Sequence, residues 1–150
     1  MTSSPSPTSL TATTALLTLG TVLLFMGGML YVLYRPQTLL LFHVAEGMGL
    51  ADIIGQWRLS AAAAWQPAAF TVYSLPAGLW ALSYVLIVGT LAQGLPSKWR
   101  WAAVTFVPLL GAISELLQAV GIVPGTFDWT DLALYLIPVA LYSAFSKRTY

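Results

Sequence analysis

The chain has 150 residues, of which 58% are hydrophobic and only 7% charged, and its mean hydropathy is +0.80. A soluble domain carries about 25% charged residues, so most of this surface cannot face water. A net charge of +1 with no basic cluster beyond two neighbours excludes a nucleic-acid-binding surface and a polybasic lipid-binding tail. The absence of cysteine excludes disulfides and thiolate metal sites, and with one histidine a zinc ion would need carboxylates for nearly every ligand. No metal or other cofactor is expected.

These limits predict an all-α polytopic membrane protein with the lipid bilayer as its partner. The expected organisation is a disordered N-terminal tail over 1–14 and a single transmembrane helical domain over 15–150. That domain is a helical bundle of about four transmembrane helices, with an interfacial or re-entrant segment at 36–73.

The tail is Ser, Thr and Pro with almost no apolar content. From Ala15 to Tyr34 an uncharged apolar run closes on Tyr31, Tyr34 and Arg35, the aromatic and basic anchors of a membrane interface. It reads as the first span; the residues before it carry no Lys or Arg, against a cleaved signal peptide. Leu39 to Met48 is apolar but interrupted by His43 and Glu46, three apart on one helical face, and it stops at Gly47 and Gly49. With Asp52, Trp57, Arg58, four alanines and Pro67 following, short amphipathic helices on one surface are expected.

Ser74 reads as the cap of a second span from Pro76 to about Gly94. A basic, aromatic turn at 96–101 precedes a third span over Ala102–Val120, kinked at Pro108, whose freed backbone group needs a partner on a neighbouring helix. Trp129 to Phe145 is the fourth span, with Pro138 inside it and Lys147 and Arg148 beyond it. Four spans put four of the six basic residues on the side of the termini and leave Arg35 and Arg58 on the other, which favours cytoplasmic termini.

Candidate functional residues concentrate in 111–131, which holds three of the five acids. Glu115 and Gln118 share a helical face with Gly111 and Ser114, a polar, small-residue stripe about 9 Å below the interface. An ionisable group at that depth is costly and often functional; the alternative is a carboxylate that bonds a neighbouring helix or caps a loop amide. Asp128 fits an N-cap, and Asp131, inside the helix start, is the better placed of the two to face Glu115. His43 and Glu46 read either as a proton-transfer or metal pair or as an ordinary hydrogen-bonded histidine and its neighbour. Arg58 reads as an interface anchor or as the partner of an acid or an anionic head group. The Trp and Tyr residues read mostly as membrane-belt residues.

Glu115-x-x-Gln118, then Gly121, then Phe127-Asp128-x-x-Asp131 at the start of a last helix, resemble the VanZ-like family of small bacterial membrane proteins. The family looks like a four-helix membrane unit with Glu-x-x-Gln closing its third helix and Asp opening its fourth. It often places an arginine shortly before that Asp, where this chain has Thr126, and an Asn-Gly one turn into the last helix, where this chain has Tyr135 and Pro138. Arg58 or Arg35 is the available substitute for the arginine. The resemblance covers roughly 114–138 and implies the bacterial plasma membrane and a cell-envelope role, in the family low-level resistance to a glycopeptide antibiotic such as teicoplanin.

Three functions remain open at this point. The first is an outward-facing acidic pocket that engages an envelope lipid or glycan precursor. The second is an accessory subunit of a larger membrane complex, packed through Gly111, Ser114, Gly20, Gly27 and Gly28. The third is an acid-dependent enzyme or transporter that uses Glu115 as a proton carrier, although no nucleophile elbow, phosphate loop or two-histidine metal motif is present.

Overall fold

The computed structural model of the protein describes residues 7–37 and 39–146. Among them the chain is entirely helical: α1 (Pro7–Tyr34), α2 (Leu40–Gly47), α3 (Ala51–Ala64), α4 (Ala69–Tyr73), α5 (Leu75–Leu91), α6 (Ser97–Ala119) and α7 (Trp129–Ser146), with one 3-10 turn at Ala92–Gly94. Three stretches of the described residues are long and apolar enough to cross a membrane, Leu10–Tyr34, Leu75–Gly94 and Ser97–Ala119.

The first helix begins at Pro7, inside the stretch expected to be tail. Proline is preorganised for a first helical position, and the Thr14 and Thr21 hydroxyls fold back onto Leu10 O and Leu17 O at 3.0 and 2.9 Å, satisfying their polar groups inside the helix. Residues 1–6, together with Lys147 and Arg148, lie outside the described residues.

Segment 36–73 forms three short helices, the longest of 14 residues, about 21 Å, short of a ~30 Å hydrocarbon core. Helix α5 follows α4 with a break only at Ser74. Ser74 is no side-chain cap: it is buried, has helical angles of −102° and −44°, and makes no capping bond. The interruption belongs to Pro76, which has no N–H to offer the Val72 carbonyl. Residues 97–101, expected as a turn, are the first residues of α6 instead. The Pro96 carbonyl accepts from the amides of Trp99 and Arg100 at 3.0 and 3.1 Å, and no residue in the stretch opposes a helix.

Helix α5 is the centre of the bundle, with α1 against one side and α6 and α7 against the other. It is apolar all round, as a helix packed on several sides must be, and its buried positions include Gly78, Ala81, Ser83, Val85 and Gly89. Small residues set the approach of the helices. A Cβ at Gly20 or Gly27 would run into Ile87 or Trp80, and one at Gly78, Gly89 or Gly111 would strike Leu134, Tyr142 or Tyr135. Gly28 has open space around it. These pairings make α1 antiparallel to α5, α7 parallel to α5, and α6 antiparallel to α7.

Polar bonds join the apolar faces. Ser83 Oγ donates to Gly20 O at 2.7 Å, and Tyr84 donates to Ala103 O at 2.7 Å, beside the Val104 carbonyl that Pro108 cannot serve. The connectivity brings the C-terminal end of α1, segment 36–73, the start of α5 and the 120–128 turn to one end of the bundle. The start of α6 and the end of α7 lie at the other.

Candidate functional site

Helices α1 and α7 both pack on α5, and no Cα atom of one comes within 8 Å of the other among the described residues. Between them, at the end where α1 finishes and α7 begins, lies a cavity of about 730 Å³. Its acidic wall is Glu115 and Gln118 from α6 with Asp128 and Asp131 from the start of α7. The opposite wall is Tyr31 from α1 and Arg35 just past its end, with Tyr73 and Trp80, and Tyr135 completes the lining.

The acidic wall is built by a helix end and a helix start. Gly121, at φ 73°, closes α6: its amide bonds Gln118 O at 3.0 Å and the Ile122 amide bonds Leu117 O at 2.9 Å, the paired bonds of a left-handed glycine C-cap. Gly125, at φ 145°, then passes directly over the Gln118 side chain, where a Cβ would overlap the amide. The turn thereby delivers the Asp128 amide to Glu115 Oε2 at 3.3 Å, while Gln118 Nε2 reaches Glu115 Oε1 at 3.5 Å. Glu115 is buried and serves as the acceptor that ties the turn to α6. Asp128 is the N-cap of α7, its Oδ1 accepting the Thr130 amide at 2.7 Å. Asp131, one turn on, keeps a buried Oδ1 with no hydrogen-bond partner among the described residues.

Arg35 comes to the site from a sequence position 80 residues before Glu115. Its Nη2 donates to Tyr73 O at 2.8 Å, and its guanidinium lies over the rings of Tyr31 and Tyr73 at 5.4 and 5.0 Å. Its Nε is buried without a hydrogen-bond partner among the described residues. Tyr31 stacks on Trp80 with ring centroids 5.2 Å apart, and Tyr135 lies within electrostatic reach of Glu115, Asp131 and Arg35 together. Tyr31, Trp80 and Tyr135 therefore face the cavity rather than a lipid belt.

Arg58, His43 and Glu46 lie elsewhere. Arg58 Nη1 and Nη2 donate to the carbonyls of Val32 and Arg35 at 2.5 and 2.8 Å, and its guanidinium sits over Phe42 at 5.1 Å. It caps the C-terminal end of α1, where orphan carbonyls and the negative end of the helix dipole need a cation. Burial pulls its pKa below the ordinary arginine value. His43 and Glu46 are exposed and share a smaller cavity of about 230 Å³ with Gln37 and Phe42, and His43 Nδ1 lies 3.3 Å from Leu39 O. Among the described residues no three His, Asp or Glu side chains gather closely enough to hold a metal ion.

The residues that a sequence reading misses are the aromatic ones and the full weight of Arg35. Tyr135 had a signal, since it stands four residues after Asp131 on the same helical face. Trp80 and Tyr31 had none, because an interfacial belt explains their positions equally well. Comparison with family models, curated proteins and solved structures returns no match.

Proposed function

We propose that the chain is a VanZ-like protein of the bacterial plasma membrane whose acidic cavity opens outward and engages an envelope lipid or glycan precursor. Helix α7 supplies a fourth span in this reading, and both termini are cytoplasmic. The observation that carries it is the cavity itself: Glu115, Gln118, Asp128 and Asp131 on one wall, Arg35 with Tyr31 and Trp80 on the other, and Tyr135 completing the lining. Carboxylates beside aromatic faces suit hydroxyl-rich or amine-bearing head groups, which offer donors to the acids and flat apolar surfaces to the rings. Arg35, held between two tyrosines, fills the role for which the acids have no arginine in their own segment.

The test is expression in a bacterial host, reading susceptibility to envelope-directed antibiotics and the level of lipid-linked cell-wall precursors. The wild-type chain is expected to shift both, and Glu115→Gln with Asp131→Asn to abolish the shift at equal abundance. Variants that act like the wild type at equal abundance would overturn the proposal.

An accessory-subunit reading draws on α1, only 11% of whose most apolar stretch is buried. The glycines lend it less support, since Gly20, Gly27 and Gly111 already serve contacts within this chain. Purification in mild detergent decides: a stoichiometric partner favours the subunit, and a lone small species counts against it. Glu115 as a proton carrier ranks third, because both its oxygens already accept bonds that hold the turn.

A further inference from the structure

The cavity described above is lined by two groups of opposite charge, Arg35 and Asp131, that form no ion pair with one another among the described residues, and each also keeps a buried atom, Nε and Oδ1, with no hydrogen-bond partner there. They enter from different elements, Arg35 at the end of α1 and Asp131 in the first turn of α7. Several of the other polar groups of the site have work within the fold. Glu115 uses one oxygen on the Asp128 amide and the other on Gln118, Asp128 caps α7, and Arg35 Nη2 is committed to Tyr73 O. Arg35 Nε and Asp131 Oδ1 are the atoms of this lining that are buried without a hydrogen bond among the described residues.

From this geometry we infer that the ligand is a zwitterion, with an oxyanion, phosphate or carboxylate, received by Arg35 and a protonated amine received by Asp131. The inference rests on the pocket reading above and names the chemical class that the pocket takes. A ligand with a single charge would leave the opposite group without a counter-charge in the half-covered pocket, whereas a zwitterion answers both at once. The walls fit the same chemistry. Tyr31 and Tyr73 stack on the guanidinium, fixing its plane for an oxyanion. Trp80 and Tyr135 supply aromatic lining for the methylenes and the ammonium. A volume of about 730 Å³ accommodates a head group of phosphoethanolamine or amino-sugar phosphate size.

The full chain in detergent micelles is titrated with short-chain phosphatidylethanolamine, short-chain phosphatidylglycerol and free phosphoethanolamine, with thermal denaturation reporting binding. The ethanolamine lipid is expected to bind about tenfold more tightly than the glycerol lipid, the worth of one charge-assisted hydrogen bond. Asp131→Asn is expected to erase that preference while leaving the anion bound, and Arg35→Gln to weaken both lipids. Free phosphoethanolamine that binds as well as the lipid identifies a soluble zwitterion as the source, and binding of the lipid alone identifies a head group; either result supports the inference.

Equal binding of the two lipids by the wild-type protein, a comparison that needs no variant, would overturn it, as would a preference that survives Asp131→Asn. A pocket that ignores all three probes yet binds a neutral glycolipid through Glu115 would remove the zwitterion and leave the proposed function standing. Glu115→Gln and Asp131→Asn proteins that treat every amphiphile as the wild type does would remove both.

Discussion

Glu115 is buried in α6, and its two oxygens reach in different directions, to the Asp128 amide and to the Gln118 side chain. Replacing it with alanine strands a loop amide, which costs about 1–3 kcal/mol where the group stays dry. Glu115→Ala is therefore expected to lower the melting temperature in detergent. Glu115→Gln, which keeps an acceptor oxygen, is expected to recover most of the loss, so that a remaining defect in ligand binding is separable from folding. A glutamine variant as unstable as the alanine variant would show that charge holds the turn. Asp128→Ala removes the N-cap of α7 and is expected to cost about 1 kcal/mol, while Asp128→Asn is expected to be nearly neutral; the same melting experiment checks both.

At the scale of elements, Gly111 and Tyr135 set how closely α6 and α7 approach. A Cβ at Gly111 would overlap the Tyr135 ring. Gly111→Ala gains about 1 kcal/mol of helix propensity, but overpacking of this kind typically costs about 1–3 kcal/mol, so a net loss of stability is expected. Adding Tyr135→Leu should restore stability, giving a favourable coupling between the two sites in a double-mutant cycle; additive effects would contradict the contact. Arg58 ties α3 to α1 through the carbonyls of Val32 and Arg35. Arg58→Ala should therefore speed hydrogen exchange and proteolysis within 40–64 while α5 to α7 keep their protection. Unchanged protection in the short helices would show that Arg58 does not hold them.

These elements also show which parts were legible in the sequence. The end of α6 at Gly121 and the start of α7 at Asp128 follow from local chemistry, because a left-handed glycine and an N-capping aspartate act within a few residues. The starts of α1 and α6 were misplaced because Ser, Thr and Lys-Trp-Arg runs look polar but do not oppose a helix. Ser74 read as a cap because Ser-x-Pro has that form, whereas the break comes from the proline.

Across the whole molecule, the site depends on a crossing that no local pattern carries. Arg35 and Asp131 line one cavity only because α1 runs antiparallel and α7 parallel to the same helix, α5. Glycine pairings against Ile87, Trp80, Leu134 and Tyr142 fix that arrangement. The acidic stretch could be read alone, but its counter-charge could be named only as one of two arginines. The packing selects Arg35 for the cavity and gives Arg58 the helix end. Gathering the cavity, segment 36–73 and the acidic turn at one end of the bundle makes the sidedness of that end decisive for function.

The natural absence of cysteine makes that sidedness directly measurable. Thr126 is exposed at the cavity rim and Ser97 begins α6 at the opposite end, so each is replaced singly by cysteine and treated in intact cells with a membrane-impermeant maleimide. The account predicts that Thr126→Cys labels in intact cells and Ser97→Cys only after lysis. The reverse pattern would place the acidic cavity in the cytoplasm and contradict an outward-facing site for envelope ligands.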